Sequence, residues 1–242
     1  AIQGLMILND AKTGQALAIL DAGTLTALRT AAIGAVSVKY LAKKEVKSLG
    51  IVGTGRQGIE QAVFASKVRN IQNIWLYNRS VERLQKAQTE LQKRLPNIQI
   101  HLAENTTELL QNVEVVITAT NSETPVLPNN AALLKGKHFV GIGSYKPNMR
   151  EFPQALFPLL KEVYTDTEQA LKESGDLVIP IGESWLELEQ VKRLGKIIEG
   201  MRTIAEAETT FYKSVGMALF DVVVAEDIYR KAVELGLGVD LD

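Results

Sequence analysis

Between residues 49 and 165 short apolar runs alternate with longer stretches of helical periodicity. The runs Leu49–Val52, Ile74–Tyr77, Ile98–Leu102, Val113–Thr118, His138–Ile142 and Glu162–Thr165 read as strands. Helical segments lie between most of them: Gln57–Val68, Val81–Leu95, Thr106–Gln111 and Asn129–Leu134. Short apolar strands alternating with helices predict an α/β fold, a doubly wound parallel sheet with right-handed crossovers.

The flanks follow other patterns. Leu5–Leu8 and Ala16–Leu20 enclose a polar loop containing Gly14, which predicts a β-hairpin. Thr26–Lys43 is alanine-rich and predicts a helix capped by Thr24 or Thr26. After Asp166 we expect a short helix over Thr167–Ser174 closed by Gly175, irregular chain over Asp176–Glu189, and a helix over Glu187–Ile198. A long last helix is expected over Lys213–Leu235. It is apolar on all sides from Val215 to Ala225 and so expected to be buried on several faces. The simplest packing joins the hairpin and this helix in a small domain built from both chain ends, 1–25 and 213–242, beside a Rossmann-like domain over 26–212. A lone hairpin is marginal, so a partner subunit or further chain has to complete its sheet.

Composition narrows the function. Of 242 residues 46% are hydrophobic, enough for a substantial core, and the net charge of −1 gives no electrostatic case for nucleic acid or an anionic membrane. No run is long enough for a membrane span, and Ala1–Asp10 lacks the charged start and apolar centre of a signal peptide. The chain has no cysteine, which excludes disulfides and thiolate chemistry and suits a cytoplasmic location. His101 and His138 are scattered and read as structural or surface residues, and no metal site is expected.

The junction after the first run of the alternating block carries the chemistry. Gly53-Thr54-Gly55-Arg56-Gln57-Gly58 is a G-x-G-x-x-G element between a strand and a helix, with a second strand at the spacing of a dinucleotide site. Gly53 permits the turn, Gly55 admits a pyrophosphate, and Gly58 allows helix–strand packing, while the helix N-terminus favours the phosphates. The position after the second strand is Asn78, followed by Arg79 and Ser80, with no carboxylate to hold a ribose 2′-hydroxyl. Arg79 and Ser80 suit a 2′-phosphate, so NADPH is the expected cofactor and NADH the alternative. The competing reading is a polar turn capping the helix from Val81.

Six segments carry a wider resemblance. They are Thr13–Ala18, Leu25–Ala32 (Leu-Thr-Ala-Leu-Arg-Thr-Ala-Ala), Gly53–Gly58, Gly143-Ser144-Tyr145-Lys146-Pro147, Glu173-Ser174-Gly175-Asp176 and Phe211-Tyr212-Lys213-Ser214-Val215-Gly216. With them the chain resembles the ornithine cyclodeaminase/mu-crystallin family. The resemblance implies a Rossmann domain, a dimerisation and substrate domain made from both ends, and a homodimer with an intersubunit sheet. It also implies chain ahead of Ala1 carrying a Lys and a second Arg of the substrate site. Cyclodeaminases carry a proton-managing Asp where Tyr145 stands here. The Gly143–Pro147 pattern is instead similar to members that reduce the cyclic imines Δ1-pyrroline-2-carboxylate and Δ1-piperideine-2-carboxylate to L-proline and L-pipecolate.

That reaction passes a hydride to a C=N carbon beside a carboxylate. Arg29 is the candidate carboxylate clamp. Placed in a first helical turn it would oppose the helix dipole, which disfavours a merely solvated role. Thr30 is expected at the cofactor phosphates. Thr54, Gln57, Thr118, Ala119, Thr120, Gly143 and Ser144 complete the expected cofactor site, although Thr118–Thr120 equally reads as ordinary strand-end polarity. Ser214 and Gly216 are expected to open the last helix; the resemblance implies that Ser214 lies near the nicotinamide or the substrate, a simple N-cap being the other reading, and Gly216 is counted with the cofactor site. Asp221 reads as a partnered carboxylate or an orienting group, and Asp176 as a cap or a border of the site. Other family activities, ornithine cyclodeamination or amino-acid dehydrogenation, and non-catalytic NADPH binding are the alternatives.

Overall fold

A computed structural model describes residues 3–200, 205 and 208–240. Ala1, Ile2, Leu241 and Asp242, at the outer ends of the expected two-ended domain, lie outside them. The chain forms two compact units, Ala1–Arg29 with Gly216–Asp242, and Thr30–Val215.

Strands β1 (Leu5–Asn9) and β2 (Ala16–Asp21) form the antiparallel hairpin. Its turn is fixed by Asp10, whose Oδ1 accepts from the backbone N–H of Lys12 and Thr13 and from the Thr13 hydroxyl. Helix α1 (Ala22–Leu41) follows directly. Its cap is neither Thr24 nor Thr26: the Asp21 carboxylate accepts from Thr24 N at 2.6 Å, and the acidic side chain one place before the helix wins the role. At the other end Arg69 donates to the carbonyls of Lys39, Ala42 and Lys43, closing α1 from outside.

The alternating block then runs β3 (Ser48–Val52), α2 (Arg56–Val68), β4 (Asn73–Tyr77), α3 (Val81–Arg94), β5 (Gln99–Leu102), α4 (Thr106–Asn112), β6 (Val115–Thr118), α5 (Ala131–Leu134) and β7 (His138–Gly141). It continues with β8 (Leu160–Thr165), α6 (Ala170–Glu173), α7 (Gly175–Gly182), β9 (Val191–Arg193), α8 (Leu194–Ile198), β10 (Thr209–Lys213) and α9 (Ala218–Glu234). Among the described residues eight strands make one sheet in the order β5-β4-β3-β6-β7-β10-β8-β9, every pair parallel. The expected doubly wound α/β sheet is therefore present. Both sheet faces are covered, which is why its strands are apolar runs rather than alternating ones. Leu49, Ile51, Val115, Ile117, Val140 and Tyr212 face a layer with Val38, Ala62 and Leu91, whereas Val52, Val116, Phe139 and Phe211 face Leu109, Leu134 and Phe157. The order reverses between β3 and β6, the switch point where such sheets open a crevice at their carboxyl ends.

Four expectations fail after Asp166. The helix expected from Lys213 is preceded by a strand: Thr209-Thr210-Phe211-Tyr212-Lys213 inserts between β7 and β8 as β10, and α9 begins only at Ala218. The β-branched and aromatic run favours the pleated state, and Gly216, at φ +86°, breaks the chain between the two elements. Asp176 starts no irregular stretch. Gly175 opens α7 rather than closing a helix, because the Ser174 hydroxyl accepts from Asp176 N as its cap. Glu187–Ile198 splits into a single tight turn, β9 and α8.

In the smaller unit Met6, Leu8, Ala18 and Leu20 pack on Leu25, Val224, Ala225 and Tyr229. The opposite hairpin face is apolar and open, with Leu5 74%, Ile7 56% and Ile19 52% exposed. Helix α9 is not buried on several faces either: Ala225 is buried, while Leu219, Val222, Val223 and Val233 are exposed. Among the described residues no helix is long and apolar enough to cross a membrane.

Candidate functional site

The glycine loop between β3 and α2 has three different local constraints. Gly53 sits at φ +95° and donates to Tyr77 O at 2.9 Å; a Cβ there would lie 2.6 Å from Ala119 O. A Cβ on Gly58 would lie 2.1 Å from Gly53 O, so α2 rests directly on the loop. A Cβ on Gly55 would meet nothing within 4 Å. Gly55 is also the N-cap of α2 and offers no side chain to it. The loop thus keeps an open, donor-rich helix start, the arrangement that receives a pyrophosphate. The hydroxyls of Thr54 and Thr118 are buried beside it without a hydrogen-bond partner among the described residues. Two orphaned hydroxyls and an open glycine face fit a bound dinucleotide. A cavity of about 490 Å³ opens at the same loop, lined by Thr54, Gly55, Arg56, Arg83, Lys86 and Glu90 among others.

At the end of β4, Asn78 Nδ2 donates to Ser80 O at 3.3 Å. Ser80 caps α3, accepting from Arg83 N. The polar-turn reading therefore holds for the Ser80 hydroxyl. Arg79 is exposed and forms no ion pair among the described residues.

Beyond the switch point, Ala119 N donates to Val52 O and joins the β6 loop to the glycine loop. Glu151 is fully buried and accepts from Thr120 N and Oγ1 and from Gly143 N and, at 3.3 Å, Ser144 N. The Ser144 hydroxyl turns inward to Met149 O at 2.6 Å and to the Ser174 hydroxyl. Tyr145 is 51% exposed. Asp176 Oδ1 accepts from Glu151 N and Phe152 N. Its Oδ2 faces Lys213 Nζ at 3.6 Å, both side chains fully buried. Burial pushes the Asp176 carboxyl up to about 6, against the pull of Lys213 and with the help of Glu151.

Ser214 follows β10 and does not open α9, whose cap position is Met217. Its hydroxyl donates to Asp166 Oδ2 at 2.7 Å, and its N–H to Gly141 O. Thr30 is buried, and its carbonyl accepts from Gln61 Nε2 of α2 at 2.9 Å. Arg29 and Thr30 both sit in the middle of α1, not at its start, so the dipole argument for Arg29 does not apply. A different constraint holds Arg29: its Nε donates to Asp221 Oδ1 at 3.0 Å, and a Cβ on Gly216 would meet its guanidinium at 2.4 Å. Asp221 is thus a partnered carboxylate.

Sequence reasoning missed Glu151, Lys213 and Asp166. Glu151 stands alone between Arg150 and Phe152 with no motif around it, and the pattern around Lys213 predicts the start of a helix. The histidines are structural. His138 lies between the Ser37 and Thr210 hydroxyls with its pKa pushed down to about 3 by burial, and His101 stacks on Trp75.

The sequence profile of the ornithine cyclodeaminase/mu-crystallin family matches residues 1–236. A Delta(1)-pyrroline-2-carboxylate reductase of Bacillus cereus is 39% identical over 243 residues, spanning 98% of this chain and 73% of its own. The structure of Thermococcus litoralis Delta(1)-pyrroline-2-carboxylate reductase in complex with NADH and L-proline matches with a TM-score of 0.90 at 32% identity, covering 97% of this chain and 73% of that one. An archaeal alanine dehydrogenase dimer with bound NAD matches at 0.87 and 29% identity, covering 99% and 74%. The glycine loop, the strand order and these similarities agree: the chain belongs to the ornithine cyclodeaminase/mu-crystallin family.

Proposed function

We propose that the protein is an NADPH-dependent oxidoreductase that reduces Δ1-pyrroline-2-carboxylate or Δ1-piperideine-2-carboxylate to L-proline or L-pipecolate. The observation that carries this reading is the open Gly55 face at the switch point, in a chain similar over 98% of its length to a pyrroline-carboxylate reductase.

The nicotinamide supplies the hydride. The chain's own residues bind and orient. Gly53, Thr54, Gly55, Gln57 and Gly58 form the pyrophosphate cradle, and Thr118–Thr120 and Gly143–Ser144 form the far wall of the crevice. Arg29, steadied through its Nε by Asp221, is the cation for the substrate carboxylate, since the guanidinium edge matches a carboxylate in two hydrogen bonds. Ser214, held by Asp166, borders the reacting centre. The open apolar hairpin face is the surface for a second copy, in keeping with the alanine dehydrogenase dimer.

Steady-state oxidation of NADPH by the full-length protein tests the function. Turnover with either cyclic imine is expected. Proline formed from ornithine, or turnover with a keto acid and ammonia alone, would replace this reading with a cyclodeaminase or a dehydrogenase.

Cofactor choice rests on Arg79. Within Asn78–Ser80, where the Ser80 hydroxyl is committed to its helix, Arg79 is the charged group offered to a 2′-phosphate. Arg79→Ala is expected to weaken NADPH roughly 10- to 100-fold, the worth of a charge-assisted hydrogen bond, and to leave NADH nearly unchanged. Equal effects on the two cofactors, measured by titration, refute the assignment.

A further inference from the structure

Glu151 receives more donors than any stability argument requires. Its Oε1 accepts from Thr120 N at 2.7 Å and Thr120 Oγ1 at 2.8 Å, and its Oε2 from Gly143 N at 2.7 Å and Ser144 N at 3.3 Å. One buried side chain thereby joins the loops that leave β6 and β7. The two loops are as close as backbones come: a Cβ on Gly143 would lie 2.0 Å from Thr120 O. Glu151 is itself held through its own N–H by Asp176, which faces Lys213 at the end of β10. The strands are already joined by ladder hydrogen bonds. What the cluster adds is a fixed geometry for the chain beyond them. Burying two carboxylates and an ammonium is a poor way to gain stability, and such groups are better explained by the geometry they impose.

We propose that Glu151 is a positioning residue that sets the spacing between the Thr118–Thr120 and Gly143–Ser144 loops, and with it the shelf that presents the nicotinamide half of the cofactor. This rests on the cofactor reading above. Glu151 touches neither cofactor nor substrate in this role; it acts through Thr120 and Gly143.

The test separates the two halves of the cofactor. Glu151→Gln puts an amide NH2 against one of the two donor sets, so one loop has to move. Titration with NADPH and with 2′-phospho-ADP-ribose, which lacks the nicotinamide, reads the consequence. We expect NADPH to bind about tenfold more weakly or worse, while 2′-phospho-ADP-ribose changes by less than about twofold. Equal weakening of both ligands, or no change in either, overturns the proposal. Wild-type protein that binds neither ligand overturns the cofactor reading itself. If Glu151→Gln does not fold by circular dichroism, Thr120→Val, which removes one hydroxyl donor, carries the test. A smaller but still selective loss of NADPH supports the proposal, and an unselective one or none overturns it.

Discussion

Lys213→Met is expected to cost about 1–3 kcal/mol of folding free energy between about pH 7 and pH 8, because the buried carboxyl left without its partner takes up a proton instead of staying charged. Lys213 and Asp176 are both fully buried, and among the described residues Asp176 Oδ2 has no hydrogen bond and faces the ammonium 3.6 Å away. Methionine fills similar volume, so the loss reports charge rather than a cavity. The pH dependence distinguishes the two. Burial raises the folded Asp176 from 3.8 to about 6, so the stability linked to its protonation is complete below about pH 3.8 and is lost as pH rises to about 6. That interval corresponds to about 3 kcal/mol. Without Lys213 the folded carboxyl shifts higher still, and the loss continues past pH 6. Urea unfolding of both proteins at about pH 5 and pH 8 should show a deficit that grows with pH. A deficit of the same size at both values would mean that packing, not the ion pair, is what Lys213 provides.

The same residue shows where the sequence was legible. The block from Leu49 to Thr165 declared itself because each strand is a short apolar run bounded by turn residues, and both sheet faces are covered. The fingerprint was legible for a similar reason: Gly53 and Gly58 answer constraints that lie within a few residues of themselves or on the adjoining strand. Strand β10 was not. Thr209–Lys213 lies against a helix-compatible stretch, and its partners β7 and β8 are more than forty residues away, so only tertiary pairing separates the two elements. Once Lys213 is placed at a strand end, the buried pair with Asp176 follows. Glu151 had no pattern to reveal it, because its partners come from two other loops and the head of α7. For Arg29 the helix-dipole reasoning fails, because the residue lies in mid-helix. Its environment is set by Asp221 and Gly216, nearly two hundred residues on, and not by a helix start.

The second large effect is expected at Gly55, where fold and function can be separated. The Gly55 Cβ direction is empty and lines the cavity at the head of α2, and its φ of −76° is open to any residue. Gly55→Val should therefore fold, with stability changed by no more than about 1 kcal/mol, the usual scale for an N-cap substitution. Its branched side chain would occupy the space in which a pyrophosphate meets the first N–H groups of α2. Losing two charge-assisted hydrogen bonds there corresponds to roughly a hundredfold or more in affinity. Gly58→Val is the control with the opposite signature. Its Cβ has 2.1 Å to Gly53 O, so α2 must be pushed off the loop and the melting temperature falls before any ligand is added. Thermal melts and NADPH titrations of both variants are the measurement. A Gly55→Val protein that melts like wild type and still binds NADPH with wild-type affinity would place the nucleotide elsewhere, and the cradle reading of the loop would have to be abandoned.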